Sequence, residues 1–140
     1  MIFLDTNVVS ETLKKSPSPA VVAWLVRFDV ELALPTVTIA EIAFGIHKIL
    51  PDRRASRLDE GLAAWRRRFG DRIFGLTEEA ALAYGELMGA ATRQGLSMSM
   101  SAPDGMIAAI ARVNGGRLAT RNVSDFRTAG LDLVSPWDFQ

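Results

Sequence analysis

Five short apolar runs punctuate this chain, and between them lie longer segments of helical period, the pattern made by parallel strands joined through crossover helices. The runs are Ile2-Phe3-Leu4, Leu32-Ala33-Leu34, Ile73-Phe74-Gly75-Leu76, Leu118-Ala119-Thr120 and Leu131-Asp132-Leu133-Val134. Start signals mark several of the intervening helices. Thr36 or Thr38 stands before the segment Ile39 to Ile49, and Thr77 is followed by Glu78 and Glu79, acids suited to the positive end of a helix. Pro103 suits the first turn of a helix through Met106, Ile107, Ile110 and Ala111, which places Asp104 in that turn, and Gly115-Gly116 reads as its stop signal. The predicted fold is α/β, a three-layer α/β/α sandwich around a central parallel sheet. With 140 residues, 49% of them hydrophobic, there is material for one core and not two, so residues 1–140 are expected to form a single domain. Trp24, Trp65 and Trp137 are read as core anchors before interface residues.

The composition removes several kinds of chemistry. No cysteine is present, which excludes disulfides, thiolate metal sites and cysteine nucleophiles. His47 is the lone histidine and cannot build a zinc site by itself; it reads as a helix-surface residue. Sixteen basic and sixteen acidic side chains cancel, so there is no global positive field and any contact with a polyanion must be local. No basic segment precedes Ile2, and no apolar stretch approaches the ~18 to 20 residues of a membrane span. A soluble, cytoplasmic protein is the expectation. From Asp52 to Arg72 the chain carries Arg53, Arg54, Arg57, Arg66, Arg67, Arg68 and Arg72 against Asp52, Asp59, Glu60 and Asp71. This stretch is either a phosphate-facing patch or a solvated helix whose arginines pair with nearby acids.

Four acids stand where such a fold would gather them. In open α/β sheets, ligands sit beyond the carboxyl ends of the strands. Asp5 follows the first run directly, Glu41 and Asp104 belong to early helical turns, and Asp125 lies in the polar segment Thr120-Arg121-Asn122-Val123-Ser124-Asp125 leaving a strand. Each has a structural alternative: Asp5 as a helix cap with Thr6 and Asn7, Asp104 as a first-turn acid favoured by the macrodipole, Asp125 as a turn residue. Glu41 is harder to dismiss, because its neighbours at helical spacing, Val37, Thr38, Phe44 and Gly45, form a largely apolar stripe on which a charge needs a partner or a metal; its structural alternative is that this face edges into solvent at this turn. Together at one sheet edge, the four carboxylates repel unless a cation neutralises them. Hard oxygen donors without histidine or cysteine select Mg2+ or Mn2+, and such a site suits phosphodiester hydrolysis.

The same residues carry a resemblance. The chain resembles the PIN-domain ribonucleases, particularly the VapC-type toxins of toxin-antitoxin systems and their FitB-like relatives. The match runs through Ile2-Phe3-Leu4-Asp5-Thr6-Asn7, Thr38-Ile39-Ala40-Glu41 with Gly45, Asp104 leading Met106-Ile107-Ala108-Ala109-Ile110-Ala111, and Thr120-Arg121-Asn122 leading Asp125-Phe126. No single piece is specific; the ordered set is. The resemblance implies a Mg2+- or Mn2+-dependent endoribonuclease in which Asp5, Glu41, Asp104 and Asp125 form the acidic cluster. By that likeness Asp5, Asp104 and Asp125 hold the metal, Thr120 orients the attacking water or the phosphate, and Asn7 and Asn122 support them. Arg66, Arg67 and Arg68 are then the candidate RNA contacts. The resemblance further implies a homodimer and a cognate antitoxin protein through which operator DNA is bound. The Ser97-Met98-Ser99-Met100-Ser101 segment and Gly105 depart from a typical member.

Other readings are weaker on particular residues. A Mg2+-binding receiver domain needs paired acids after the first strand, an aspartate after the third and a lysine after the last, where this chain has Asp5 alone, Leu76-Thr77, and lysines only at Lys14, Lys15 and Lys48. A haloacid-dehalogenase-like phosphatase needs an aspartate at the position of Asn7. A nuclease of the same fold acting on DNA, or in RNA processing without a toxin role, is not separated from the toxin reading by any residue.

Overall fold

The computed structural model describes residues 1–95 and 100–140; most of the Ser/Met segment, Ser97 to Ser99, lies outside them. Five strands form one parallel sheet: β1 (Ile2–Leu4), β2 (Leu32–Pro35), β3 (Ile73–Phe74), β4 (Arg117–Ala119) and β5 (Leu133–Val134), in the order β3-β2-β1-β4-β5. Six α-helices connect them, α1 (Thr6–Thr12), α2 (Pro19–Arg27), α3 (Thr36–Lys48), α4 (Arg54–Arg68), α5 (Glu78–Arg93) and α6 (Ala102–Val113). This is the three-layer α/β/α sandwich expected from the alternation of runs. The two edge strands are two residues long, which limits the unpaired backbone they present.

Strand alternation sorts the core into two halves. Ile2, Leu4, Leu32, Leu34 and Ala119 face a cluster with Val8, Val9, Trp24, Leu25, Ile42, Ile46 and Leu62 from α1 to α4. Phe3, Ala33 and Leu118 point the other way, toward Leu87, Ile107 and Ile110 of α5 and α6. Trp24 is buried in the first cluster, and Trp65 and Trp137 pack half-buried against it, so all three tryptophans serve the core as expected. The Trp65 indole also donates to Thr12 Oγ1 at 3.0 Å, tying α4 to α1.

The helix ends follow the sequence signals with one exception. Thr77 caps α5 by accepting from the Ala80 amide at 3.1 Å. At the end of α6, Gly115 takes φ +65° while its amide reaches Arg112 and that of Gly116 reaches Ala111, a Schellman closure that only glycine enters without strain. The exception is α3, which begins at Thr36 with Pro35 as its cap residue and no side-chain cap. Thr38 instead donates its hydroxyl to the Leu4 carbonyl at 2.9 Å, a buried bond between the first turn of α3 and the end of β1.

Candidate active site

The strand order reverses at β1, since β2 and β3 lie on one side of it and β4 and β5 on the other. The crevice between the carboxyl ends of β1 and β4 is therefore the switch point where ligands of open α/β sheets bind. Asp5 and Thr120 each stand one residue beyond those strands. Their amides extend the ladder, Asp5 N to the Ala119 carbonyl at 2.9 Å and Thr120 N to that of Val134 at 3.0 Å, so both backbones are fixed by neighbouring strands.

Asp5 is the N-cap of α1 and is buried, with 3% of its surface exposed. One carboxylate oxygen accepts from the Thr6 amide at 2.8 Å, and the other from the Thr120 hydroxyl at 2.7 Å. The Thr120 hydroxyl, itself fully buried, accepts in turn from the Asn122 amide at 3.1 Å. Its proton is committed to Asp5, so Thr120 acts in this arrangement as a positioning residue for that carboxylate. Asn122 contributes through its backbone. Asn7 uses Oδ1 to accept from the Arg121 amide at 3.2 Å, which pins the loop after β4 to the first turn of α1.

Glu41 is half-buried, and one of its oxygens accepts from the Thr6 hydroxyl. The apolar stripe inferred around it is not a buried one: α3 buries Thr38, Ile42 and Ile46, while Phe44 on the Glu41 side is 67% exposed. Glu41 therefore sits at the border of the buried face. The reason is rotational. A helix of 3.6 residues per turn puts positions 38, 42 and 46 inward and carries 41, 44, 45 and 48 toward solvent.

Asp104 occupies the first turn of α6, where its amide donates to Ser101 Oγ at 3.2 Å. Ser101 is thus the cap of this helix, and Met100 is buried in the second core cluster. The departure at Gly105 has a packing cause: a Cβ there would lie 2.7 Å from Met88 Sδ and 2.9 Å from the Tyr84 ring. Only a hydrogen lets α6 press this closely on α5. Asp125 is half-buried in the 3-10 turn Val123–Ala129 that follows β4.

These acids act on one another. Burial pushes the Asp5 carboxyl up to about 6, against the hydrogen bonds from Thr120 and Thr6, and the charges of Asp104 and Glu41 push it the same way. Burial likewise raises Asp104; hydrogen bonds from Ser101 oppose this and the Asp125 charge adds to it. Among the described residues, no ion pair includes any of the four acids. Nor do three such side chains among them stand close enough to enclose an ion in this conformation. The donor set nevertheless fits a hard divalent cation. Mg2+ keeps several waters and binds through one or two carboxylates, so a buried Asp5 that feels the charges of Asp104 and Glu41, with no ion-pair partner among the described residues, meets its demand.

The arginine-rich stretch is divided between the two ends of α4. Arg66, Arg67 and Arg68 end α4 just before β3, at the amino edge of the parallel sheet, opposite the acids. Arg68 pairs with Asp29, and Arg72 donates to the carbonyls of Asp29 and Leu32 while lying 4.4 Å from the Phe69 ring centroid. Arg54 is held by Asp52 and Arg57 donates to the Leu13 carbonyl. His47 is exposed on α3, as expected. Sequence reading missed Thr38 and Ser101 as supports; the Ser101-Ala102-Pro103-Asp104 spacing before an apolar run is a capping pattern that signals the second.

The PIN domain family matches residues 2–130. A VapC ribonuclease of Sinorhizobium fredii is 38% identical to the chain, with 99% of each covered. Toxin FitB of Neisseria gonorrhoeae is 34% identical, over 98% of this chain and 99% of that protein. The solved structure of FitAB bound to a DNA fragment superposes with a TM-score of 0.89 at 33% identity, covering 100% of this chain and 98% of that one. No helix of the described residues is long and apolar enough to cross a membrane. The order of the strands, the switch-point aspartate and this likeness over the whole length agree, and the chain belongs to the PIN-domain family.

Proposed function

We propose that this protein is a divalent-metal-dependent endoribonuclease acting as the toxin of a toxin-antitoxin pair. The observation that carries the reading is Asp5: a carboxylate buried at the switch point, with further acids around it and no ion-pair partner among the described residues. Asp5, Asp104 and Asp125 would hold Mg2+ or Mn2+. When bound, such an ion neutralises a phosphodiester oxygen and makes a water more acidic. Glu41, with one oxygen engaged by Thr6, keeps the other for a proton from the attacking water. Thr120 and Thr6 hold Asp5 in one rotamer, and the buried backbones of Asp5 and Thr120 keep that geometry fixed.

The toxin role is supported by the toxin and VapC ribonuclease relatives, which align over nearly the whole chain. A cognate antitoxin is the matching partner, with operator DNA reached through it, in keeping with the FitAB structure on DNA. The test incubates the purified protein with tRNA, rRNA fragments and single-stranded DNA, each with Mg2+, Mn2+ or chelator, beside Asp5→Asn. Cleavage of RNA that needs the ion and is lost in Asp5→Asn is expected. Cutting in chelator, or full activity in the variant, overturns the mechanism; cutting of DNA in preference to RNA overturns the substrate.

A further inference from the structure

A groove of about 430 Å³ shares Glu41 and Thr6 with the site, and the rest of its lining has no part in the chemistry described so far. It lies between α1, α3 and α4, and its lining includes Glu41, Gly45 and Lys48 along α3, Lys14 from α1, and Arg54 and Arg57 from α4. Glu41 thus belongs both to the candidate active site and to this groove. Seven residues separate it from Lys48, so the α3 wall runs about 10 Å away from the site. Four cations and one carboxylate among these residues make the walls complementary to an anion. Lys14 pairs with Glu11 and Arg54 with Asp52, whereas among the described residues Arg57 meets only the neutral Leu13 carbonyl and Lys48 lies over a ring.

That ring is Phe44, which does not line the groove itself but stands at its α3 rim, on the same helical stripe as the lining residues Glu41 and Lys48. Of the eleven aromatic side chains it alone is exposed, at 67%, while the other ten are buried or half-buried. Lys48 Nζ stands 5.6 Å from its centroid. An exposed aromatic beside a cation, one turn from a candidate catalytic acid, is the combination by which single-stranded nucleic acids are held: a base on the ring, a phosphate on the cation. At Gly45, which lines the groove beside this stripe, a side chain would meet nothing within 4 Å, so the α3 wall is left open there.

We propose that this groove is the track for the RNA strand adjoining the scissile phosphate, with Phe44 stacking a base and Lys48 and Arg57 taking phosphates. The proposal rests on the ribonuclease reading. It assigns strand binding to α3 and its neighbours and not to Arg66 and Arg67 at the opposite sheet edge.

The test measures fluorescence anisotropy of a labelled single-stranded RNA of mixed sequence with the full chain carrying Asp5→Asn, so that the RNA stays intact. Phe44→Ala should weaken binding about tenfold. Lys48→Ala should flatten the slope of log affinity against log salt by about 0.7. Gly45→Leu should weaken binding without lowering the melting temperature. Affinity and slope unchanged in Phe44→Ala and Lys48→Ala overturn the track, as does an equal or larger loss in Arg66→Ala/Arg67→Ala. The same variants losing an antitoxin but keeping RNA would assign the groove to a protein partner, which also overturns it. Cleavage by the parent protein is scored separately. Groove-dependent binding without any cleavage sinks the nuclease reading alone, and cleavage with groove-independent binding sinks the track alone. An absence of RNA binding sinks both.

Discussion

Asp5 concentrates opposing forces on one carboxyl. Burial raises it from an ordinary 3.8 to about 6, although Thr120 and Thr6 both donate to it. A carboxyl whose folded pKa exceeds its unfolded one binds protons more tightly when folded, so its contribution favours the fold at low pH and is lost as pH rises through about 6. For a shift of this size the loss is on the order of 3 kcal/mol. In chelator, Asp5→Asn should therefore melt at a higher temperature than the parent at neutral pH, with the gap closing toward about pH 4. Parallel melting curves across that range would refute the assignment. Thr120 offers a second check at this scale. Its hydroxyl holds the Asp5 pKa down, so Thr120→Ala should move the acid limb of the pH-rate profile upward, and Thr120→Ser should restore it. A merely structural threonine would change the rate without moving that limb.

At the scale of elements, two glycines on two helices separate packing from open space. Gly105 sits where α6 meets α5, and Gly45 faces the groove. Gly105→Ala gains helix propensity of about 1 kcal/mol but drives a methyl into Tyr84 and Met88, an overpacking cost of about 1–3 kcal/mol. Met88 can yield at its flexible end; the Tyr84 ring is stiffer, so a net loss and a displaced Asp104 are expected, read as a lower melting temperature with reduced cleavage. Gly45→Ala meets nothing and should stabilise by about 0.5–1 kcal/mol, read by denaturant unfolding. The contrast marks what the residues alone disclose. Thr77 and Gly115-Gly116 were legible because a cap and a Schellman closure are local. The stripe around Glu41 was misjudged because the inward face of α3 is set by the sheet beneath it. The need for Gly105 was invisible because Tyr84 and Met88 belong to a different helix.

Across the whole molecule, the alternation of runs was enough to bring Asp5, Asp104 and Thr120 to one sheet edge, since parallel strands must all end on the same side. The same rule sends the end of α4 to the other edge, and this is why Arg66, Arg67 and Arg68 lie opposite the acids while Arg54 and Arg57, at the start of the helix, reach the groove beside Glu41. Zero net charge therefore conceals a division in which carboxylates with no ion-pair partner among the described residues collect where the strands end. A divalent ion that binds this edge only in the folded state must raise the stability of the whole domain. The gain is about 2.7 kcal/mol when the free ion stands at roughly 100 times its Kd, enough to move the melting temperature by several degrees in a domain of this size. Mg2+ should produce that rise in the parent protein, and Asp104→Asn should blunt it, because the variant removes a proposed ligand and its charge together. Arg66→Ala/Arg67→Ala should leave it intact, being at the far edge. A rise of equal size in Asp104→Asn would place the ion elsewhere, for two sites at opposite ends of one sheet cannot answer to the same carboxylate.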